Sequence, residues 1–285
     1  MSKAETVKRL EDLATEQRIR LVRLSESFDG NIHLGGDLSM TDVLVALYHY
    51  GMHVSPERID LPERDRFVLS KGHAAACMYV TMSLSGFFDF EEILATYGKL
   101  DSAYGMHPCR IHLPGVECSS GSLGQGLSMA IGMALMARHE KAAYRVYCLM
   151  GDGETCEGSV WEAAMFAGSY GLGNLIAVLD RNRQMMTSFT DGQFMHLDPY
   201  ADKWRAFGWE VIEIADGNDM PQVVEAIDRI KSMPQNKPIA LICNTVKGKG
   251  ISFMQRQIGW HAGSLNKEQA AQCIKELAAQ RRDEQ

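Results

Sequence analysis

Two short apolar runs, each halted by polar residues and joined by one helical stretch, constrain this chain more than any other feature. The first, Tyr144 to Met150, stops at Gly151-Asp152-Gly153; the second, Leu175 to Leu179, stops at Asp180-Arg181-Asn182. Each run is too short for a helix. The piece between them carries Val160, Ala163, Ala164 and Ala167 at helical spacing, which predicts a helix over roughly Ser159 to Tyr170. A right-handed crossover of this length makes the two strands parallel and lets them lie side by side. Asp152 and Asn182 then stand at the carboxyl ends of strands, where open parallel sheets place their ligands. A carboxylate and an amide oxygen, with a nearby main-chain carbonyl, suit an octahedral Mg²⁺ that keeps its other positions for water and phosphate oxygens. The glycines flanking Asp152 allow a sharp turn and a close approach to phosphate. For a bare Gly-Asp-Gly, an ordinary turn with a helix-capping Asp is the commoner explanation, so the neighbouring residues have to decide.

The chain has 285 residues, 46% of them hydrophobic, enough to bury a full core as one large α/β domain or two small ones. A net charge of −7 argues against a nucleic-acid surface, and Arg18-Ile19-Arg20-Leu21-Val22-Arg23 reads as the polar side of an amphipathic helix. No apolar run has the length of a membrane span, and Met1 to Glu5 lacks the apolar core of a signal peptide, so a cytoplasmic protein is expected. The seven cysteines contain no C-x-x-C pair, as in a protein that keeps its thiols reduced, and Cys156 falls beside the proposed site.

Helices are expected over about residues 3–26, Met40 to Tyr50 with Ser39 as its cap, Leu123 to His139, Pro199 to Phe207, Met220 to Ser232 and Lys267 to Arg282, the last with a frayed charged tail. Further strands are expected at Arg66 to Ser70, Glu210 to Ile214 and Ile239 to Asn244. This alternation, without a linker-like stretch, predicts a single α/β domain over 1–285: a parallel β-sheet with helices on both faces.

Four histidines stand at the ends of these elements: His33, His73, His107 and His261. An isolated loop histidine is more often a surface or capping residue than a functional one. Loops after strands are nevertheless where a rigid scaffold presents reactive groups, and imidazole moves protons near neutral pH.

Together, Gly151-Asp152-Gly153-Glu154, Glu157-Gly158, Trp161-Glu162-Ala163-Ala164 and Asn182 resemble the thiamine diphosphate motif of transketolases. Asp65 to Ala75, Leu113 to Glu117 and Gly121 to Gly126 are similar to transketolase segments too. The resemblance implies the diphosphate-binding domain of a thiamine diphosphate enzyme. Its cation, Mg²⁺ or another divalent ion such as Ca²⁺ or Mn²⁺, would be held by Asp152, Asn182 and the carbonyl of Gln184.

The same resemblance places His73 and His261 near the diphosphate, and His33, His107 and His261 around the reacting oxygens of a sugar. It places the loop of Gly121, Ser122 and Leu123, with Gly151, Gly153, Asn182 and Met186, against the cofactor. Lys71 and Lys247 match lysines that approach the diphosphate, although a solvated lysine is an equal explanation of either. Glu157 would join an acidic network that links two cofactors across a subunit interface; a carboxylate favouring the helix dipole is the plainer reading.

The pattern departs from the family after Asn182, where an apolar residue and Ile-Asp-Gly are usual and this chain has Arg183 to Thr190. Ser122 replaces a common proline, and Ala262-Gly263 follows His261 in place of the usual Gly. Transketolases are more than twice this long, so the resemblance implies a split enzyme. This chain would be the N-terminal subunit, and a C-terminal subunit would carry the pyrimidine-binding domain, together forming an α2β2 heterotetramer. The implied reaction moves a two-carbon ketol unit from a phosphorylated or otherwise acidic ketose to an aldose. The rivals are one component of a 2-oxoacid dehydrogenase and a non-catalytic binding module of the same fold.

Overall fold

The computed structural model describes residues 1–192 and 195–283. Five strands form one parallel sheet in the order β1-β2-β3-β5-β4: β1 Arg66–Leu69, β2 Val146–Gly151, β3 Leu175–Arg181, β4 Glu210–Ile214 and β5 Ile239–Asn244. The α-helices are α1 Lys3–Ser27, α2 Leu34–Ser39, α3 Thr41–Ala46, α4 Ala75–Leu84, α5 Phe90–Thr96, α6 Gly126–Glu140, α7 Gly158–Ser169, α8 Tyr200–Ala206, α9 Met220–Ser232 and α10 Lys267–Asp283.

Strands buried on both faces read as unbroken apolar runs, and β3, at the centre of the sheet, is buried throughout. Successive side chains point to opposite faces, so each strand feeds two cores. Tyr147, Leu149, Ile176, Val178, Leu241 and Cys243 face α1, α3, α4, α5, α9 and α10. Cys148, Met150, Ala177, Leu179, Ala240 and Ile242 face α6, α7 and α8. β4 lies at the edge, and its exposed Glu213 interrupts the apolar pattern and blunts that edge against further pairing.

The expected strand, helix, strand unit is present as β2, α7 and β3. The two strands are adjacent, with Gly151 opposite Asp180.

Three expectations need correction. The helix from Met40 to Tyr50 is broken: α2 ends at Ser39, α3 begins at Thr41, and Leu47–Gly51 forms a wider turn. Ser39 does not cap it, because its buried hydroxyl donates its one proton to the Asp180 carboxylate (2.6 Å), with the Gly36 carbonyl 3.0 Å away. α6 begins at Gly126, not Leu123, because Gly124 takes a left-handed φ of 82° that no helix accommodates. Arg18 is not on a solvated face; it is buried in a bidentate pair with Asp42. α5, capped by the Asp89 carboxylate on the Glu91 amide, was not foreseen. Part of the charged tail expected to fray lies outside the described residues.

Candidate functional site

The loops that leave β1, β2, β3 and β5 meet at one end of the sheet and enclose a cavity of about 370 Å³. Asp152 and Asn182 both line it, with Gly151, Gly153, Gln184 and Met186 around them. The register brings them together: the Asp152 amide donates to the Asp180 carbonyl (3.2 Å), and the Arg183 amide donates to Asp152 Oδ2 (2.8 Å).

Neither Gly151 nor Gly153 has a positive φ. A Cβ on Gly151 would meet no protein atom and would project into the cavity that Gly151 lines, and one on Gly153 would lie 3.2 Å from Met185 Cβ.

Asp152 is almost wholly buried, and burial pushes its carboxyl up to about 6. Asn182 is fixed by Nδ2 donating to Asp180 Oδ2 (3.1 Å) and by Oδ1 accepting from the Gln184 amide (3.1 Å). Among the described residues no three His, Cys, Asp or Glu side chains gather as metal ligands. The set here has one carboxylate beside an amide oxygen and a main-chain carbonyl, a donor mix that suits a hard cation with waters and phosphate oxygens in its other positions.

Two lysines reach the cavity from within the protein, and their surroundings differ. Lys71 donates to Asp180 Oδ2 (2.7 Å) and to the Gly36 carbonyl (3.1 Å). Burial works against its charge, but Asp180 outweighs burial and holds Lys71 above the usual lysine range. Lys247 is also buried, yet no carboxylate stands within ion-pair distance of it among the described residues; its Nζ lies 2.8 Å from His261 Nδ1. Burial and the Lys71 charge push it down to about 8. A buried cation without a carboxylate partner that faces a cavity fits an anionic ligand there, which is what the diphosphate would supply.

His33, His73 and His261 form a triangle, with ring centroids 5.1, 5.4 and 5.6 Å apart. Ile32 and Gly263 exchange both backbone hydrogen bonds (3.0 Å each), which sets His33 against His261. Burial and the neighbouring lysine charges push His73 down to about 2 and His261 to about 3, and they lower His33 as well. The three rings are therefore neutral at pH 7. An ammonium can only donate, so with Lys247 charged, His261 accepts at Nδ1 and carries its proton on Nε2.

The remaining expected residues divide. Gly121, Leu123 and Glu157 line the cavity, Glu157 as the cap residue of α7. Ser122 is exposed and does not line it. His107 is exposed at the rim beside Gly121, whose added Cβ would lie 3.3 Å from the ring. It is close enough for its charge to lower His33.

Two residues that hold the site together were missed. Asp180 accepts from Ser39, Lys71, Asn182 and Thr245 at once. Buried Glu154 accepts from Ser70, from the Gly124 amide (2.9 Å) and from the Gly151 amide (3.2 Å), tying three loops to one carboxylate. Their placement at or just after strand ends was the only available signal; apart from Gly151 and Asn182, their partners are distant in the chain.

Residues 15–283 match the family described as transketolase, thiamine diphosphate binding domain. The chain belongs to this transketolase family. It is 41% identical over 272 residues to an apulose-4-phosphate transketolase subunit from Phocaeicola vulgatus, a match that covers 95% of each chain. It is 40% identical over 245 residues to the 6-deoxy-6-sulfo-D-fructose transketolase subunit SqwG of a Clostridium species, covering 86% of this chain and 88% of that one. The Campylobacter jejuni transketolase structure superimposes with a TM-score of 0.85 at 28% identity, over 98% of this chain and 43% of that one. As in the transketolase family generally, the cofactor is thiamine diphosphate with a divalent cation. Relatives that are themselves named as transketolase subunits imply a second polypeptide beside this one. Among the described residues no helix is long and apolar enough to cross a membrane.

Proposed function

We propose that this chain is the diphosphate- and cation-binding subunit of a two-chain transketolase, which moves a two-carbon ketol unit from an acidic ketose to an aldose. The observation that carries the reading is the cavity itself. One buried carboxylate and one fixed amide oxygen share it with a buried lysine that has no carboxylate partner among the described residues, and three neutral histidines stand beside them.

Asp152, Asn182 and the Gln184 carbonyl hold the cation, and Lys247 and His73 face the diphosphate. Lys71, already neutralised by Asp180, anchors the end of β1 beside them and adds less charge to the cavity. Thiamine diphosphate, when bound, supplies the electron sink that a two-carbon fragment requires.

His261 presents an Nε2 proton to a sugar oxygen while Lys247 holds its tautomer, and His33 and the rim residue His107 hydrogen-bond neighbouring hydroxyls. Gly121 and Leu123 wall the cavity, and Glu157 stands where α7 leaves the site. The names of two relatives carry a phosphate and a sulfo group, which supports an anionic ketose here. The assembly proposed is an α2β2 heterotetramer with the pyrimidine-binding subunit.

The test is reconstitution. The purified chain should show no ketol transfer with thiamine diphosphate and Mg²⁺, and should gain it when the co-encoded subunit is added. Turnover by the single chain would refute the division of labour. Asp152→Ala should abolish Mg²⁺-dependent cofactor binding by calorimetry, and an unchanged affinity would remove it as a ligand.

A further inference from the structure

The stretch after Asn182, where the sequence leaves its family's usual pattern, forms a small hairpin. Gln184 pairs with Phe189, the Met185 amide donates to the Ser188 carbonyl (2.9 Å), and the Thr190 amide donates to the Arg183 carbonyl (3.1 Å). Arg183 opens it with a left-handed φ of 63°.

Both ends of the hairpin close on a single oxygen. Asp152 Oδ2 accepts from the Arg183 amide (2.8 Å) and from the hydroxyl of the fully buried Thr190 (2.7 Å). Among the described residues, Asp152 Oδ1 has one hydrogen-bond partner, the adjacent Gly153 amide (2.9 Å).

A carboxylate oxygen offers about two lone-pair sites, and two donors already stand on Oδ2 against one on Oδ1, so Oδ1 keeps more capacity for a cation. We propose that Thr190 is a positioning residue for the cation: it occupies Oδ2, leaves Oδ1 as the single ligating oxygen, and thereby confines Asp152 to monodentate coordination.

The consequence is selectivity. Ca²⁺ readily takes both oxygens of a carboxylate and more ligands, whereas Mg²⁺ demands a compact octahedron and one oxygen from each carboxylate. An Asp152 held to one oxygen favours Mg²⁺ and the similarly sized Mn²⁺ over Ca²⁺. The hairpin and the cation are also coupled, since the Thr190 hydroxyl closes one end of the hairpin on the metal's own carboxylate.

This inference rests on the cation site proposed above. The full-length chain with saturating thiamine diphosphate is titrated calorimetrically with Mg²⁺ and, separately, with Ca²⁺. Thr190→Val, nearly isosteric and without the hydroxyl, should weaken Mg²⁺ binding by about tenfold or more, as loss of a partner behind a metal ligand typically does. Ca²⁺ should weaken less, so that the preference for Mg²⁺ falls. Thr190→Ser, which keeps the hydroxyl, should restore both values. Should the valine variant not fold, Thr190→Ala carries the same expectation. Unchanged Mg²⁺ affinity in the variants, or an equal loss for both ions that serine does not rescue, would overturn the role of Thr190. A wild-type chain that binds neither ion would overturn the cation site itself.

Discussion

Lys71 and Asp180 show what a single buried residue contributes here. Their ion pair is almost fully shielded, and Asp180 is satisfied by three further donors, so removing one partner strands a charge. Lys71→Met should cost about 3–5 kcal/mol of stability, the range for breaking a buried pair. The Lys71→Met, Asp180→Asn double variant should recover part of it in a double-mutant cycle by urea denaturation. Simple addition of the two single losses would show that the pair is not coupled.

Two other buried groups give opposite pH signatures. His73 is pushed down to about 2 in the folded chain, chiefly by burial. The stability it contributes is present above the unfolded value near 6.5 and falls with pH below that, because the unfolded chain takes up a proton the folded one refuses. Asp37, wholly buried, is pushed up to about 7 by burial. Its contribution is full below about 3.8 and is lost as pH rises through 7. His73→Gln should therefore flatten the loss of melting temperature between pH 6.5 and 4, while Asp37→Asn should raise the melting temperature most at pH 8. Parallel pH profiles for both variants and the wild type would contradict these assignments.

Elements are set against one another by close contacts that local sequence does not announce. α7 meets the segment after α8 at Gly168, where an added Cβ would lie 1.7 Å from the Phe207 carbonyl oxygen. Trp209 locks the same junction by donating from Nε1 to the Ala164 carbonyl (2.8 Å). Backbone cannot yield as a flexible side chain can, so Gly168→Ala should destabilise by about 1–3 kcal/mol, the usual cost of overpacking. An unshifted urea midpoint would show that α7 can slide.

The strands and most helices were legible because their signals are local: continuous apolar runs for a sheet covered on both faces, and helical spacing between them. The breaks were less so. Ser39 reads as a helix cap until Asp180, from another strand, is known to stand beside it. Gly124 looks like a helix glycine until its left-handed φ delays α6. In both cases a tertiary partner or a backbone conformation overrides the local preference.

At the scale of the whole molecule, four strand ends converge while their sequence positions stay far apart, and the site is a product of that convergence. The chain gathers a carboxylate, an amide oxygen, two buried lysines and three neutral histidines at one cavity, and it spans most of the length of relatives that are named as subunits. Thiamine diphosphate with Mg²⁺ should therefore raise the melting temperature of this chain even without its partner, since a ligand of the folded state stabilises by mass action. The rise should vanish in Asp152→Ala. An equal rise in that variant would place the binding elsewhere.

Residues close together in the chain specify the parallel α/β sheet, the strand ends that carry Asp152 and Asn182, and the placing of four histidines near the ends of elements, because apolar periodicity and turn residues act over a few neighbours. Long-range packing, in contrast, buries Lys247 away from the carboxylates of the described residues, makes Asp180 and Glu154 bind the loops together, leaves His107 at the rim and closes Thr190 on Asp152. Those facts depend on which groups distant in the chain share a low-dielectric space, and that follows from how the loops pack at the end of the sheet.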